Sequence, residues 1–372
     1  MKRIFWIAFF VALAAAAYAA SGPVFGFVDY AEGSATFVRS GRNMGELNIG
    51  DEILPDDMIK TANDGLVIIN LDKSTGMRGS LTIKSKSVAY IRLTPDATSP
   101  KTTIELISGQ IGSKLNKIAG SPSLQVQSDS ISMGVRGTEF TMAMTVNESV
   151  LVICTDGVVS CNDGTDSLDI AAGRAAEKQA GQKLKVIPVA ISSAAQFEKR
   201  WFADEIEAFR GNALRALADY EKRYNEQFAR FDKAFTPLQK SEVLSKWIRE
   251  DTAGLVPRSN DPAVLNEKKA IMKDILETRK VLFIFERLYY RILEIEGIIA
   301  GTALEKALIK PGLSAGDFLK KVKADAPGLE KRVFLFRYAE KLYEQRNQGG
   351  AGLPGMGLGD DDFFGSSDDW DF

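Results

Sequence analysis

A single change of pattern at Ser192 limits what this chain can fold into. Upstream, from Val24 to Ile191, short runs of β-branched and aromatic residues recur roughly every 8 to 12 residues, the spacing of strands in all-β domains. "ATFVR", "GLVIINL", "SVAYIRL", "TTIELIS", "EFTMAMTV" and "SVLVIC" are such runs, separated by Gly, Asn-Asp-Gly and Ser-Pro clusters. Several alternate polar and apolar residues, as half-buried strands do. Downstream the period lengthens. From Ala194 to Phe235 there is no Pro and one Gly, Gly211. Apolar residues fall at Ile206, Phe209, Ala213, Leu217, Tyr220, Tyr224, Phe228, Phe231 and Phe235, in steps of three and four. That spacing, about 3.67 residues per turn, keeps an apolar stripe nearly straight along an α-helix.

The expected fold class is α+β in two domains, an all-β domain over residues 24–191 and an α-helical domain over residues 192–346. The spacing of the strands alone fits either a sandwich or a solenoid-like roll. In the second half, Thr236-Pro237 is expected to break the first long helix, with Pro237 opening the next. A shorter helix to about Glu250 should follow. Ala263 to Ala300 reads as a second long helix, with Leu282, Phe285, Tyr289, Ile292, Ile295 and Ile299 on one side. Ser314 to Gln345 reads as one or two more, broken near Ala326-Pro327-Gly328. Such helices make a bundle, packed on one another or self-associating as a coiled coil.

The two ends differ from the rest. Met1-Lys2-Arg3 is a basic start, Ile4 to Ala17 is apolar, and Ala17-Tyr18-Ala19 is a small-x-small cleavage pattern. Residues 1–19 therefore read as a signal peptide; the run falls short of the roughly 20 residues of a comfortable membrane span. The protein is expected to be exported, periplasmic or extracellular, with no transmembrane segment after cleavage. Residues 347–372 are Gly-rich and then acidic, which opposes a core and predicts a disordered tail. Phe363, Phe364, Trp370 and Phe372 stand there among six Asp residues, as candidate anchors for a protein partner.

Composition removes several kinds of chemistry. Among 372 residues there is no histidine, which excludes Ser-His-Asp and Cys-His nucleophiles and His-containing zinc sites. The formal charge of −2 offers no basic excess for nucleic acid. No residue set suggests a cofactor or a catalytic centre. Asp163, Asp166 and Asp169 make no complete calcium-ligand set, and no metal is expected. Cys154 and Cys161 are the only cysteines. If Asp156-Gly157 is a two-residue hairpin turn, Cys154 faces Val159 and Cys161 faces Val152. The sulfurs then lie on a diagonal about 7 Å or more apart at Cα, which argues against a disulfide without closing the question.

The most distinctive stretch is Ile131 to Gly157. Its centre, Gly134-Val135-Arg136-Gly137-Thr138-Glu139-Phe140, reads as a bend allowed by Gly134 and Gly137, followed by strand, Asp156-Gly157 turn and strand. Arg136 is expected to be structural, its five donors tying together the bend's carbonyls or meeting a nearby carboxylate. This stretch, with "LNIGDEILPDDMIKTANDGLVIINL", "IELISGQIGSKL" and "LDIAAGRAAEKQAG", resembles the FecR domain, a β-rich module of bacterial envelope proteins, from Val24 to Val186. The resemblance implies an envelope location and favours a solenoid-like β-roll over a sandwich. Well-known FecR proteins also carry a cytoplasmic sigma-factor-regulating segment and a transmembrane helix; neither is recognisable here, so that route of signalling is not expected.

The reading is therefore a non-enzymatic envelope protein that binds or scaffolds other envelope proteins. One alternative is a peptidoglycan- or glycan-binding protein. Another is a carboxylate-based hydrolase, which would need two acidic residues about 5 to 10 Å apart in a cleft.

Overall fold

The computed structural model describes residues 24–94, 101–116, 124–255 and 261–346. The expected signal peptide and the acidic-aromatic tail lie outside the described residues. The strands are β1 (Gly26–Glu32), β2 (Ala35–Arg39), β3 (Arg42–Glu46), β4 (Glu52–Ile53), β5 (Met58–Thr61), β6 (Leu66–Leu71), β7 (Gly79–Ile83), β8 (Val88–Thr94), β9 (Lys101–Ser108), β10 (Gln110–Leu115), β11 (Leu124–Gln127), β12 (Ser132–Val135), β13 (Glu139–Met144), β14 (Val150–Asp156), β15 (Val158–Asn162), β16 (Ser167–Ala171), β17 (Arg174–Lys178) and β18 (Lys185–Pro188). They form two sheets of nine, ordered β18-β17-β14-β13-β10-β7-β6-β1-β4 and β16-β15-β12-β11-β9-β8-β5-β2-β3.

The chain passes from sheet to sheet as it advances. β6–β7, β13–β14 and β17–β18 are hairpins of the first sheet, and β8–β9, β11–β12 and β15–β16 alternate with them in the second. The progression is that of a solenoid, while the layers are two face-packed sheets, so roll and sandwich describe two aspects of one arrangement. All pairings between neighbours in these sheets are antiparallel except β9 with β11. Val67, Ile69, Ile83, Ile111, Met142 and Val152 of the first sheet meet Ile59, Ile91, Ile104, Leu106, Val126 and Val159 of the second in one core.

Strands in the middle of the stack are covered on their outer faces as well. In β14, Val150 to Cys154 are all buried, because Val150, Val152 and Cys154 face the inter-sheet core while Leu151 and Ile153 lie under Trp201. The result is a continuous apolar run in place of alternation.

The helices supply the covers. They are α1 (Ala194–Gly211), α2 (Ala213–Gln239), α3 (Glu242–Thr252), α4 (Pro262–Ile299), α5 (Ala303–Lys306) and α6 (Ala315–Gln345), with a small hairpin of β19 (Leu308–Lys310) and β20 (Leu313–Ser314). The long helix expected from Ala194 to Phe235 is two helices, divided at Asn212 just after Gly211. The division lets α1 cover the first sheet, through Trp201 on Ala143, Leu151, Ile153 and Ala175, while α2 joins the bundle. The expected break at Pro237 is absent; Pro237 sits in the last turn of α2, and α3 starts from Ser241, whose hydroxyl caps the Leu244 N–H. Burial of Phe235 and Leu238 on either side holds that turn against the missing hydrogen bond. α6 likewise runs through Pro327, anchored beyond it by Leu329 and Val333.

α4 is the centre of the helical part. It starts at Pro262 behind an Asp261 cap, as helix N-termini favour. From Glu286 to Ile292 every residue is buried, since α4 lies against β9 on one side and α2 and α6 on the others. A helix covered all round carries no solvent face there. The apolar stripe of α2 is spent inside the chain: Leu217, Tyr224, Phe231 and Phe235 belong to a core that also holds Val38, Met58, Val88, Tyr90 and Ile107 of the second sheet.

Phe285 of α4 sits where the rings of Tyr224, Phe228 and Phe231 converge, with centroids 5.7, 6.1 and 5.5 Å away. Truncation there leaves a cavity that helices tied to a sheet cannot close. Phe285→Ala is expected to cost about 3–5 kcal/mol in chemical denaturation; a loss below about 1 kcal/mol would mean that the helices collapse freely around the site.

Candidate functional site

The residues singled out in the sequence lie at two stacked corners. Gly134 and Val135 belong to β12 in the second sheet, Glu139 and Phe140 to β13 in the first, and Arg136-Gly137-Thr138 carries the chain across. Gly137 makes the crossing with φ 62°, a region where only Gly is unstrained. Gly134 does not bend the chain. It pairs in register with Gln125 and Ser160 in mid-strand, with open space where a side chain would stand.

Asp156 ends β14 opposite Glu139, and Gly157, with φ 79°, carries the chain back to β15. A Cβ on Gly157 would fall 2.7 Å from Thr138 Cγ2 and 2.8 Å from the Gly137 carbonyl oxygen, so the two corners are pressed together. Backbone bonds continue the stack: Leu115 N–H donates to Thr138 O at 2.9 Å, and Ala172 N–H to Gly157 O at 3.0 Å.

Asp156-Gly157 is therefore a sheet-crossing corner and not a two-residue hairpin. The expected facing of Cys154 with Val159 and of Cys161 with Val152 falls with it. Cys154 and Cys161 point from opposite sheets into the common core as free, buried thiols. Burial pushes the Cys161 thiol up to about 12 and raises Cys154 as well, which makes both poor nucleophiles. Arg136 is exposed and makes no hydrogen bond or ion pair with another described residue. Its expected tie to the bend is not made, because neighbouring groups serve the carbonyls: Leu115 N–H takes Thr138 O, and the Thr155 hydroxyl takes Glu139 O at 3.1 Å. Asp163 is held by Lys178 at 2.6 Å and caps its own turn through the N–H groups of Thr165 and Asp166.

A second constellation was not legible beforehand. On the outer face of the second sheet, Arg92 of β8 and Glu105 of β9 lie under α4 and α6. Glu105 accepts from Arg287 at 3.3 Å and from Arg337 at 3.2 Å, with Arg92 3.6 Å away. Glu340 takes Arg279 at 2.7 Å and Arg92 at 3.3 Å, and Glu286 takes Arg337 at 2.6 Å. Arg337 also stacks over the Tyr90 ring at 4.5 Å. Glu286 and Arg287 are each 1% exposed. Burial works to raise Glu105, but the guanidiniums of Arg337, Arg92 and Arg287 outweigh it and hold that carboxyl well below the usual range. Glu340 is lowered in the same way against burial, by Arg92, Arg279 and Arg337. Glu286, with one close partner, is raised, because burial prevails.

This cluster binds the helices to the sheet; it has no access for a substrate. The cavity beside it, between Tyr90, Arg337 and Asp56, measures 10 Å³, about the room of one water. Further sheet-to-helix ties flank it. Arg291 of α4 pairs with Asp129 and Glu148, and the Tyr220 hydroxyl donates to Val146 O. One sign of the cluster was present in the sequence. Tyr90 and Ile107, outward neighbours of Arg92 and Glu105, are too large and apolar for an open face. Among the described residues no group of acidic or sulfur side chains is arranged to hold a metal ion, and no helix is long and apolar enough to cross a membrane.

Two expectations follow. Gly137→Val should lower stability by about 1–3 kcal/mol through strain at positive φ; an unchanged melting temperature would show the corner tolerates a side chain. Glu105→Ala leaves Arg287 and Arg337 short of a counter-charge and should cost about 3–5 kcal/mol at neutral pH. A carboxyl lowered by folding contributes stability that is complete above its unfolded value and lost as pH falls toward the folded one. Denaturation below the ordinary Glu value of 4.5 should therefore show a steeper loss in the wild type than in Glu105→Ala.

No curated protein is found to match the chain. Two crystal structures of a "putative anti-sigma factor" from Parabacteroides distasonis are similar over part of the chain. The first has 12% identity and a TM-score of 0.32 over 38% of this chain and 63% of its own. The second has 13% identity and a TM-score of 0.25 over 36% of this chain and 56% of its own. Residues 57–160, from the start of β5 into β15, with Arg92, Glu105 and both corners among them, match the FecR protein family.

Proposed function

We propose that this chain is an exported, non-enzymatic envelope protein that works by binding other envelope proteins. A FecR-like β domain over residues 24–191 and a helical domain over residues 192–346 act together as the scaffold. The observation that carries this reading is the buried charge cluster around Glu105. It ties the helices to the sheet and leaves Glu105, Glu286 and Glu340 matched by arginines, so these three do not form a carboxylate pair open to a cleft. Chemistry of the kind a glycoside hydrolase performs would need such a pair. The family match to residues 57–160 supports the envelope setting and a regulatory or signalling role.

Partner contact is assigned to the outer surfaces of the helices and to residues 349–372, where Phe363, Phe364, Trp370 and Phe372 each offer about 150–250 Å² of ring surface. Their acidic spacing suits a basic partner surface. Deletion of residues 349–372 should leave thermal unfolding unchanged and remove at least one protein captured from envelope extract by the full chain. An identical set of captured proteins would refute the assignment to the tail, and sedimentation of the full chain with purified peptidoglycan would move the function to glycan binding.

A further inference from the structure

A cleft of 340 Å³ opens between the second sheet and the C-terminal half of α4, at the opposite end of the helix from its Asp261 cap. Lys86 and Glu294 face it from its two walls. Neither side chain makes a hydrogen bond or a close ion pair with a described residue, although the Lys86 charge is near enough to favour the ionised form of Glu294. The charges around them are all matched: Lys60 with Glu330, Glu296 with Lys323, and Arg291 with Asp129 and Glu148. Val88, Tyr290 and Leu293 make the floor apolar.

Lys86 is held in place at a conformational cost. Its φ is 57°, a left-handed value that a side chain adopts against strain. The turn is fixed from both sides. Lys86 N–H donates to Ala62 O at 3.0 Å, Ser87 N–H to the Thr61 hydroxyl at 2.9 Å, and Gln110 N–H to the Ser87 hydroxyl at 2.8 Å. Gly109, with φ 86°, lets the next strand pass so close that a Cβ would fall 2.4 Å from that hydroxyl. On α4, Gly297 leaves a bare stretch of helix where the Lys86 ammonium rests, 3.6 Å from the position a Cβ would occupy. A strained, over-determined turn that delivers an unpaired cation to an unpaired carboxyl is the arrangement of a binding site.

We propose that this cleft binds a free α-amino acid with an apolar side chain, its carboxylate on Lys86 and its ammonium on Glu294. A ligand with one charge would satisfy one wall and leave the other group bare, whereas a zwitterion matches both in the order the walls present them. The apolar side chain lies on Val88, Tyr290 and Leu293. A volume of 340 Å³ is at the small end of ligand pockets, which suits an amino acid better than a peptide or a sugar chain.

Titration of Glu294 provides an independent reading. Burial pushes its carboxyl up to about 7, against the pull of Lys86 and Arg291. The ligand's ammonium favours the ionised form, so binding should weaken as pH falls below 7, where a proton must first leave Glu294.

The test is calorimetric titration of the full chain with leucine of either hand, 4-methylpentanoate and 3-methylbutylamine. Leucine of at least one hand should bind saturably, with both single-charge analogues about tenfold weaker or more. Lys86→Gln and Glu294→Gln should each weaken leucine by a similar factor without lowering the melting temperature, and Glu294→Gln should remove the pH dependence between 6 and 8. No saturable heat from either leucine, an analogue that binds as well as leucine, or unaltered affinity in the folded variants would overturn the proposal.

Discussion

Glu105 is the residue on which the arrangement of the two halves depends. A carboxylate in mid-strand, pointing outward from the second sheet, is harmless in water and very costly under a helix unless matched. Here the face is covered, so the covering helices must bring cations to that point. α4 brings Arg287 and α6 brings Arg337, and both reach Glu105 at hydrogen-bond distance. Buried ion pairs add little net stability over an apolar replacement, but a mispositioned one is severely penalised. The cluster therefore acts chiefly on specificity: of the ways two helices could lie across a nine-stranded sheet, one satisfies Glu105, Glu286 and Glu340 together.

The same requirement explains the shape of the core around it. Because Tyr90 and Ile107 flank the charges on the outer face of the sheet, closing the helices down buries apolar area and strengthens the ion pairs in one step, as the local dielectric falls. Tyr90 serves both purposes, since its ring packs in the core and carries the Arg337 guanidinium on its face. On the other sheet the covering is centred on Trp201 over Leu151 and Ile153, with Glu198 held by Lys84 and Glu205 held by Thr145 and Asn147 along the same helix. One sheet is thus capped through a tryptophan with a few single polar ties, and the other through hydrophobic contact with a connected cluster of buried ion pairs.

For function, the consequence is that the face of the FecR-matching span with the richest chemistry is occupied by the chain's own helices. Among the groups whose side chains make no bond to a described residue are Arg136, exposed at a corner, and Lys86 and Glu294, which face the cleft. Both places are held by glycines that permit close backbone approach, Gly137 and Gly157 in the first and Gly109 in the second, where Gly297 also leaves room for the Lys86 side chain. Rigid strands with small residues at their ends position such groups more sharply than long loops do.

The sequence by itself determined what depends on near neighbours. The switch at Ser192 from strand to helix, the left-handed glycines at 137 and 157, and the apolar stripe from Ile206 to Phe235 were all legible, because backbone period and turn chemistry act within a few residues. Tertiary structure decided what depends on the far side of each element. Pro237 and Pro327 stay inside helices because buried residues beyond them hold the turns. The helix from Ala194 divides after Gly211 because two different sheets need covering. Cys154 and Cys161 belong to different sheets because the chain crosses at Asp156-Gly157, a choice the dipeptide leaves open between hairpin and corner. Arg92 and Glu105 look like solvent-facing charges until α4 and α6 arrive; Tyr90 and Ile107 beside them signal a cover but not which residues supply it, because the partners are about 180 to 250 positions away, and only the folded chain brings them together.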